Sequence, residues 1–196
     1  MTERSREFFL DRLAKRRRVG VLIVGGGING AGLFRDLALQ QVDCLLIDKA
    51  DFASGASSAS SRLIHGGLKY LETGEFRLVA ESTLERNLLL KNAPHYVQAL
   101  ETVLPIHSYF GGIVASVRRF FGIKSKLADR GVIISTVGLS IYDFLGRHQR
   151  TMPRHHVTGK KRSLEDMPLL DPAIRATATY FDAQVTQAER LNYELV

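Results

Sequence analysis

Val21-Leu-Ile-Val-Gly-Gly-Gly-Ile-Asn-Gly-Ala-Gly32 joins an apolar run to glycines spaced as G-x-G-x-x-G. A continuous apolar run, Val19–Val24, is what a central parallel strand covered on both faces requires. The segment Gly25–Gly32 then predicts a tight turn into a helix reaching about Gln41. Ile28, Ala31, Phe34, Leu37 and Ala38 recur there at helical spacing. Val42–Ile47 reads as a second strand closed by Asp48, so the whole is one βαβ unit. In such a unit Gly25 permits the turn, Gly27 lets the backbone approach a pyrophosphate, and Gly30 lets helix and sheet pack closely. The pyrophosphate is expected at the helix N-terminus, where free N–H groups and the helix dipole favour negative charge. Asp48 stands where an acid accepts hydrogen bonds from ribose hydroxyls.

Outward from this unit, residues 1–18 are a charged lead-in with a short helix carrying Phe8, Phe9 and Leu13. A Ser/Ala/Gly-rich loop spans Asp51–Ser61, and its low bulk favours close backbone approach to a ligand. Glu75–Asn92 has the helical period in Phe76, Val79, Ala80, Thr83, Leu84 and Leu88, and Pro94 ends it. Farther on, the expectations are a strand at Thr102–Ile106, a helix over Ile133–Leu145, a strand at Arg175–Phe181 and a helix from Thr186 still running at Val196. The fold class is α/β: a Rossmann-type domain over residues 19–100, part of an interleaved second domain over 101–175, and a return over 176–196. Two strong parallel strands are fewer than a doubly wound sheet needs, so the domain reads as cut short.

Composition narrows the class. With 45% apolar and 24% charged residues the chain has the balance of a soluble globular protein. Its single cysteine, Cys44, cannot form an internal disulfide and reads as a small buried hydrophobe in a strand. The stretch Gly131–Gly146 holds about 16 residues against the roughly 20 of a membrane span. No secretory leader is visible, and the reading is cytoplasmic, with a peripheral place on the inner face of the cell membrane as the variant. The net charge of +7 gathers at Arg12 with Lys15–Arg18, at Arg118–Arg130 and at Arg147–Arg162. Such patches suit phosphate-bearing ligands or an anionic membrane, or simply a solvated face. Apart from Phe120 and Phe121 they lack interleaved aromatics, and no nucleic-acid motif is present. His155 and His156 sit in a basic loop and are expected to be exposed. No metal-ligand spacing occurs, and the absence of Gly-x-Ser-x-Gly speaks against a nucleophilic hydrolase.

The glycine fingerprint does not separate NAD from FAD. The segment after it does: Ser54-Gly-Ala-Ser-Ser-Ala-Ser-Ser-Arg-Leu-Ile-His-Gly-Gly-Leu-Lys-Tyr-Leu71 is a long loop suited to lie along an extended flavin, where a nicotinamide domain continues into another helix and strand. Together with Val24–Gly32, Asp51–Gly55, Ser57–Gly67 and Glu75–Val79, this run resembles the FAD-dependent glycerol-3-phosphate dehydrogenases, within the D-amino-acid-oxidase-like superfamily. Phe181–Val185 with Ala188, Arg190 and Leu191 matches a further family segment less strictly.

The resemblance implies oxidation of sn-glycerol 3-phosphate to dihydroxyacetone phosphate, with FAD as cofactor and a quinone as acceptor; related oxidases use oxygen. By position, Gly25, Gly27, Gly30 and Asp48 would hold the ADP half of FAD. Ser57, Ser58, Ser61, Arg62, Leu63, His65 and Gly67 would lie near its phosphates and ring. Lys69 stands where the family commonly has an arginine resembling a substrate-phosphate ligand, and Arg62 where lysine is common; both keep the charge. Asp48 replaces a frequent glutamate. His65 is open between shaping a turn, touching flavin and abstracting a proton. No residue is named as catalytic base. Family members run to roughly 500 residues or more by the same resemblance, which leaves a non-catalytic FAD-binding fragment, or another FAD-dependent oxidoreductase, as the alternatives. Homo-oligomerisation stays open.

Overall fold

A computed structural model describes residues 6–16, 18–112 and 131–196. The chain forms two compact units: residues up to 61 together with 187–196, and residues 62–186. This division differs from the sequence boundaries near residues 101 and 176. The reason is that a ten-residue strand runs unbroken across residue 101 and pairs along its length with a strand beginning at 176.

In the first unit, helix α1 (Arg6–Lys15) precedes strand β1 (Val21–Val24), helix α2 (Ile28–Leu39) and strand β2 (Cys44–Ile47). The strands pair in parallel with Val21 opposite Cys44 and Val24 opposite Ile47, and α2 is the crossover between them. The expectation that β1 is covered on both faces is not met. Ile23 is buried, but Leu22 is 52% and Val24 77% exposed. Among the described residues this sheet has two strands, too few to hide both faces. Cys44 does lie in a strand, half-buried and not enclosed. The last helix, α6 (Ala188–Tyr193), is short and gives way to a C-cap at Glu194, so the expected helix running on at Val196 is corrected.

The second unit is an antiparallel sheet with helices against it. Strand β6 (Ala176–Val185) is its axis. Strand β4 (Val97–Ile106) pairs with it from Val97 opposite Val185 to Ile106 opposite Ala176. Strands β3 (Leu63–Ile64) and β5 (His156–Gly159) take its other edge. Alternating alanine and threonine in Ala176–Thr179 let both faces of β6 be buried. The strand expected at Thr102–Ile106 starts five positions earlier, at Val97, and the one expected at Arg175–Phe181 runs on to Val185. Pro105 is accommodated because, among the described residues, β4 is an edge strand, where a missing N–H is tolerated. Helix α3 (Phe76–Asn92) and helix α4 (Val132–Leu145) supply the core: Val79 packs with Leu71 and Tyr142, and Leu139 with Ile106 and Ala178. Helix α5 (Lys160–Asp166) follows β5 and buries Ser163 against Thr177, with the hydroxyls 2.9 Å apart.

His155 is not exposed as expected. Its side chain is 15% accessible and its Nδ1 lies 2.7 Å from Asp143 Oδ2. Arg150 donates to the same residue, at Asp143 Oδ1 (3.0 Å) and the backbone carbonyl. The basic loop thus folds back onto the C-terminal end of α4, where cations meet the negative end of the helix dipole. His156 remains exposed, in β5. Arg17, Arg118–Arg130, Phe120 and Phe121 fall outside the described residues. So does the side chain of Phe9, while Phe8 and Leu13 lie in α1 as expected.

Candidate functional site

The turn between β1 and α2 is built on Gly25, whose φ of +115° is left to glycine. Its N–H donates to Ile47 O at 2.8 Å, tying the turn to β2. A Cβ at Gly30 would collide with the carbonyl oxygen of Gly25, so the helix can start this close only with glycine there. A Cβ at Gly25 would point into open space, and one at Gly27 would meet only the Ser57 hydroxyl. The outer side of the turn is therefore bare backbone. That arrangement fits a diphosphate laid against N–H groups at a helix N-terminus.

Asp48 is exposed at the end of β2. Its Oδ2 accepts from Gly26 N–H at 2.5 Å and its Oδ1 from Ala50 N–H at 2.9 Å. The Gly26 bond, followed by the Ala50 one, holds its carboxyl below the ordinary value. Asp48 is thus a fixed anion beside the turn, with lone pairs left to accept from hydroxyls.

Ser57 is brought to the same place: its Oγ accepts from Ile28 N–H at 2.9 Å. One of the helix N–H groups expected to be free is therefore taken. A hydroxyl that accepts still has a proton to donate, so Ser57 passes the donor outward. Ser58 caps its own loop through Gly55 O, and Ser61 is exposed at the unit's boundary.

Sequence reasoning missed Asn192. This α6 residue is fully buried, and its Nδ2 donates to Gly26 O at 2.9 Å. Among the described residues its Oδ1 has no partner.

The remaining predicted residues belong to the second unit. Arg62 has a left-handed φ of 60°, and its Nη1 donates to Thr186 O at 3.0 Å. Leu63 pairs with Gln184 and is half-exposed. His65 is exposed, and its Nδ1 accepts from Gly67 N–H at 3.2 Å, a contact that shapes the turn. Gly67, at φ 74°, opens the 3-10 turn Leu68–Thr73. Lys69 is exposed, with its Nζ 5.1 Å from the Tyr70 ring centre.

Between His65 and Gly67, Gly66 is buried over a polar cluster that the sequence did not disclose. Its N–H donates to Tyr142 Oη at 2.8 Å and to Asp182 Oδ1 at 3.2 Å. Arg86 Nη1 lies 2.6 Å from Asp182 Oδ1, both side chains being under 10% exposed. Tyr142 donates to Asp182 Oδ1 at 2.6 Å and accepts from Arg86 at 2.9 Å. Burial, reinforced by Asp182 and opposed by Arg86, pushes the Tyr142 hydroxyl well above its ordinary value, so it stays a donor. Asn87 anchors the neighbourhood by donating to Gly146 O and His148 O. The signal for Arg86 was present: it follows Val79 and Thr83 at helical spacing on the buried face of α3.

A family model described as FAD dependent oxidoreductase matches residues 20–190. The chain is 40% identical over 176 residues to a glycerol-3-phosphate dehydrogenase of Synechocystis sp., covering 89% of this chain and 28% of that one. It is 38% identical to D-erythritol 1-phosphate dehydrogenase of Brucella abortus, covering 81% of this chain and 28% of the relative. The chain thus spans a little over a quarter of the length of these relatives. Among solved structures, the glycerol-3-phosphate dehydrogenase from Bacillus halodurans complexed with FAD superposes with a TM-score of 0.51 at 22% identity. It covers 92% of this chain and 24% of that one, a likeness of fold.

Proposed function

We propose that this chain, which belongs to the FAD dependent oxidoreductase family, serves the FAD-dependent oxidation of sn-glycerol 3-phosphate to dihydroxyacetone phosphate. The observation that carries this reading is the bare glycine turn with Asp48 and Ser57 gathered on it, joined to the similarity to glycerol-3-phosphate dehydrogenases. Bound FAD supplies the two-electron acceptor. Gly25, Gly27 and Gly30 give the diphosphate a backbone surface, Asp48 accepts from the ribose hydroxyls, and Ser57, with Ser61 in the same loop, donates to phosphate oxygens, while Ser58 serves through the loop it caps at Gly55 O. In the second unit Arg62, Leu63, His65 and Gly67 serve the phosphate and ring portions, and Lys69 binds the substrate phosphate as a point charge. The electron acceptor in this reading is a quinone.

A second reading is favoured by the span of the chain: with about 28% of the relatives' length, it acts as a cofactor-binding part whose catalytic base lies in other residues. One experiment separates the two. The protein is titrated with FAD and then mixed anaerobically with glycerol 3-phosphate. Uptake of FAD followed by bleaching of the flavin supports the first reading, with Lys69→Ala demanding more substrate and binding FAD equally. Uptake without bleaching supports the second. Protein that stays colourless with excess FAD refutes both.

No helix among the described residues is long and apolar enough to cross a membrane. The excess of +7 and the basic loop around Arg147–Arg162 support docking on anionic lipid. Binding to phosphatidylserine vesicles is expected at low salt and is expected to fade above about 0.15 M, where the screening length falls to roughly 8 Å. Equal binding to neutral vesicles would remove the membrane from this reading.

A further inference from the structure

The Arg86–Asp182–Tyr142 cluster is costly in a way that packing alone does not require. Taking an ion pair out of water loses hydration that mutual attraction barely restores, and apolar residues of similar size often serve stability as well or better. What apolar side chains cannot do is receive a backbone N–H. Tyr142 has one proton and two lone pairs, and all three are assigned. The proton goes to Asp182, and the lone pairs receive Arg86 and the N–H of Gly66. Gly66 is also enclosed sterically, because a Cβ there would collide with Thr83 Cγ2 and Tyr142 Oη. The adjoining residues are held too: Ile64 by pairing with Ala183, and Gly67 through His65 Nδ1.

We infer that Tyr142, oriented by Asp182 and Arg86, is a positioning residue that fixes the His65–Gly67 backbone for FAD. The inference rests on the functional reading above and names residues it does not use. None of the three needs to touch the cofactor. Their contribution is to make the loop rigid before binding, so that its ordering is not charged against affinity.

The test uses the full chain and Tyr142→Phe, which keeps the ring and deletes the hydroxyl. Amide hydrogen exchange is followed by mass spectrometry in the segment 62–72 and, as reference, in 97–106 and 176–185. FAD affinity and the flavin absorption band are measured on the same samples. The expected result is exchange in 62–72 faster by about tenfold with the reference strands unchanged. FAD binding should weaken about 3- to 10-fold, as for one lost hydrogen bond, with a shifted absorption band. Exchange that is unaltered, or that accelerates equally in all three segments, would overturn the inference, since the hydroxyl would then serve the fold generally. Local acceleration with unchanged affinity and spectrum would overturn it as well. If Tyr142→Phe does not fold, the wild-type protein is compared with and without FAD: segment 62–72 as protected as the reference strands before FAD is added is the expected result, and protection there that appears only with FAD would overturn the inference. Should the wild-type protein itself take up no FAD, the functional reading fails, and the exchange comparison still decides whether Tyr142 holds the loop.

Discussion

Gly30→Val abolishes measurable FAD uptake: the expected loss in affinity is at least about 100-fold, near 2.7 kcal/mol. Glycine is required at position 30 because any Cβ collides with the Gly25 carbonyl oxygen, a backbone atom that no side-chain rotation can move. The Gly25 amide is itself hydrogen-bonded to Ile47 O, so relief requires either unpinning the turn from β2 or lifting α2 off the sheet. Both displace the N–H groups assigned to the diphosphate in the proposed reading, and overpacking of this kind costs about 1–3 kcal/mol even before the ligand is considered. Gly32→Ala is the internal control, since a Cβ at Gly32 meets nothing within 4 Å and alanine is the better helix former. Fluorescence titration with FAD checks both variants. A dissociation constant for Gly30→Val within threefold of wild type would mean that the diphosphate does not lie on this turn.

The second large effect falls on stability. Asp182→Ala leaves Arg86, 3% exposed, without its counter-charge. Breaking a buried pair in this way costs about 3–5 kcal/mol, because the remaining charge stays desolvated. For a chain of this size that corresponds to a Tm lower by roughly 6–20 °C. The double variant Arg86→Met with Asp182→Leu is expected to recover most of the loss, because it removes both charges while filling the space. Thermal and urea unfolding monitored by circular dichroism measure all three proteins. A loss below about 1 kcal/mol in Asp182→Ala would show that water reaches Arg86 and that the cluster is not the closed one described here.

What the chain discloses without coordinates divides along physical lines. The β1–α2–β2 unit was readable because its information is local: an apolar run, glycines at fixed offsets and an acid closing the next strand. Helices α3 and α4 were readable to within a residue for the same reason, since period and breaker lie in the segment itself. Strand lengths were not. Val97–Leu100 becomes strand because β6 is there to pair with it, and that partner is separated by some eighty residues. The burial of β1 was overestimated because an apolar run states what a strand could hide, and only two strands of the sheet are among the described residues.

Near the glycine turn, residues that act through their own backbone or sit beside a motif were readable, and the structure gathers Gly25, Asp48 and Ser57 there. Those acting across the fold were missed. The helical period puts Arg86 on the buried face of α3 but does not name Asp182 as its partner, and His155 looks solvated until Asp143 is placed beside it. Whether Lys69 serves the substrate phosphate is decided by Lys69→Ala in the titration above.

Asn192 carries one more consequence, for the order in which the protein is made. The carbonyl of Gly26 accepts from the Ala53 N–H and, a second time, from a residue 166 positions later. At roughly 5–20 residues per second, the glycine turn leaves the ribosome about 8–33 s before the last of these donors. During that interval the turn lacks one of its ties, however complete its motif. A β1–α2–β2 segment grafted alone into another protein would leave behind both the Ala53 and the Asn192 donors to its turn.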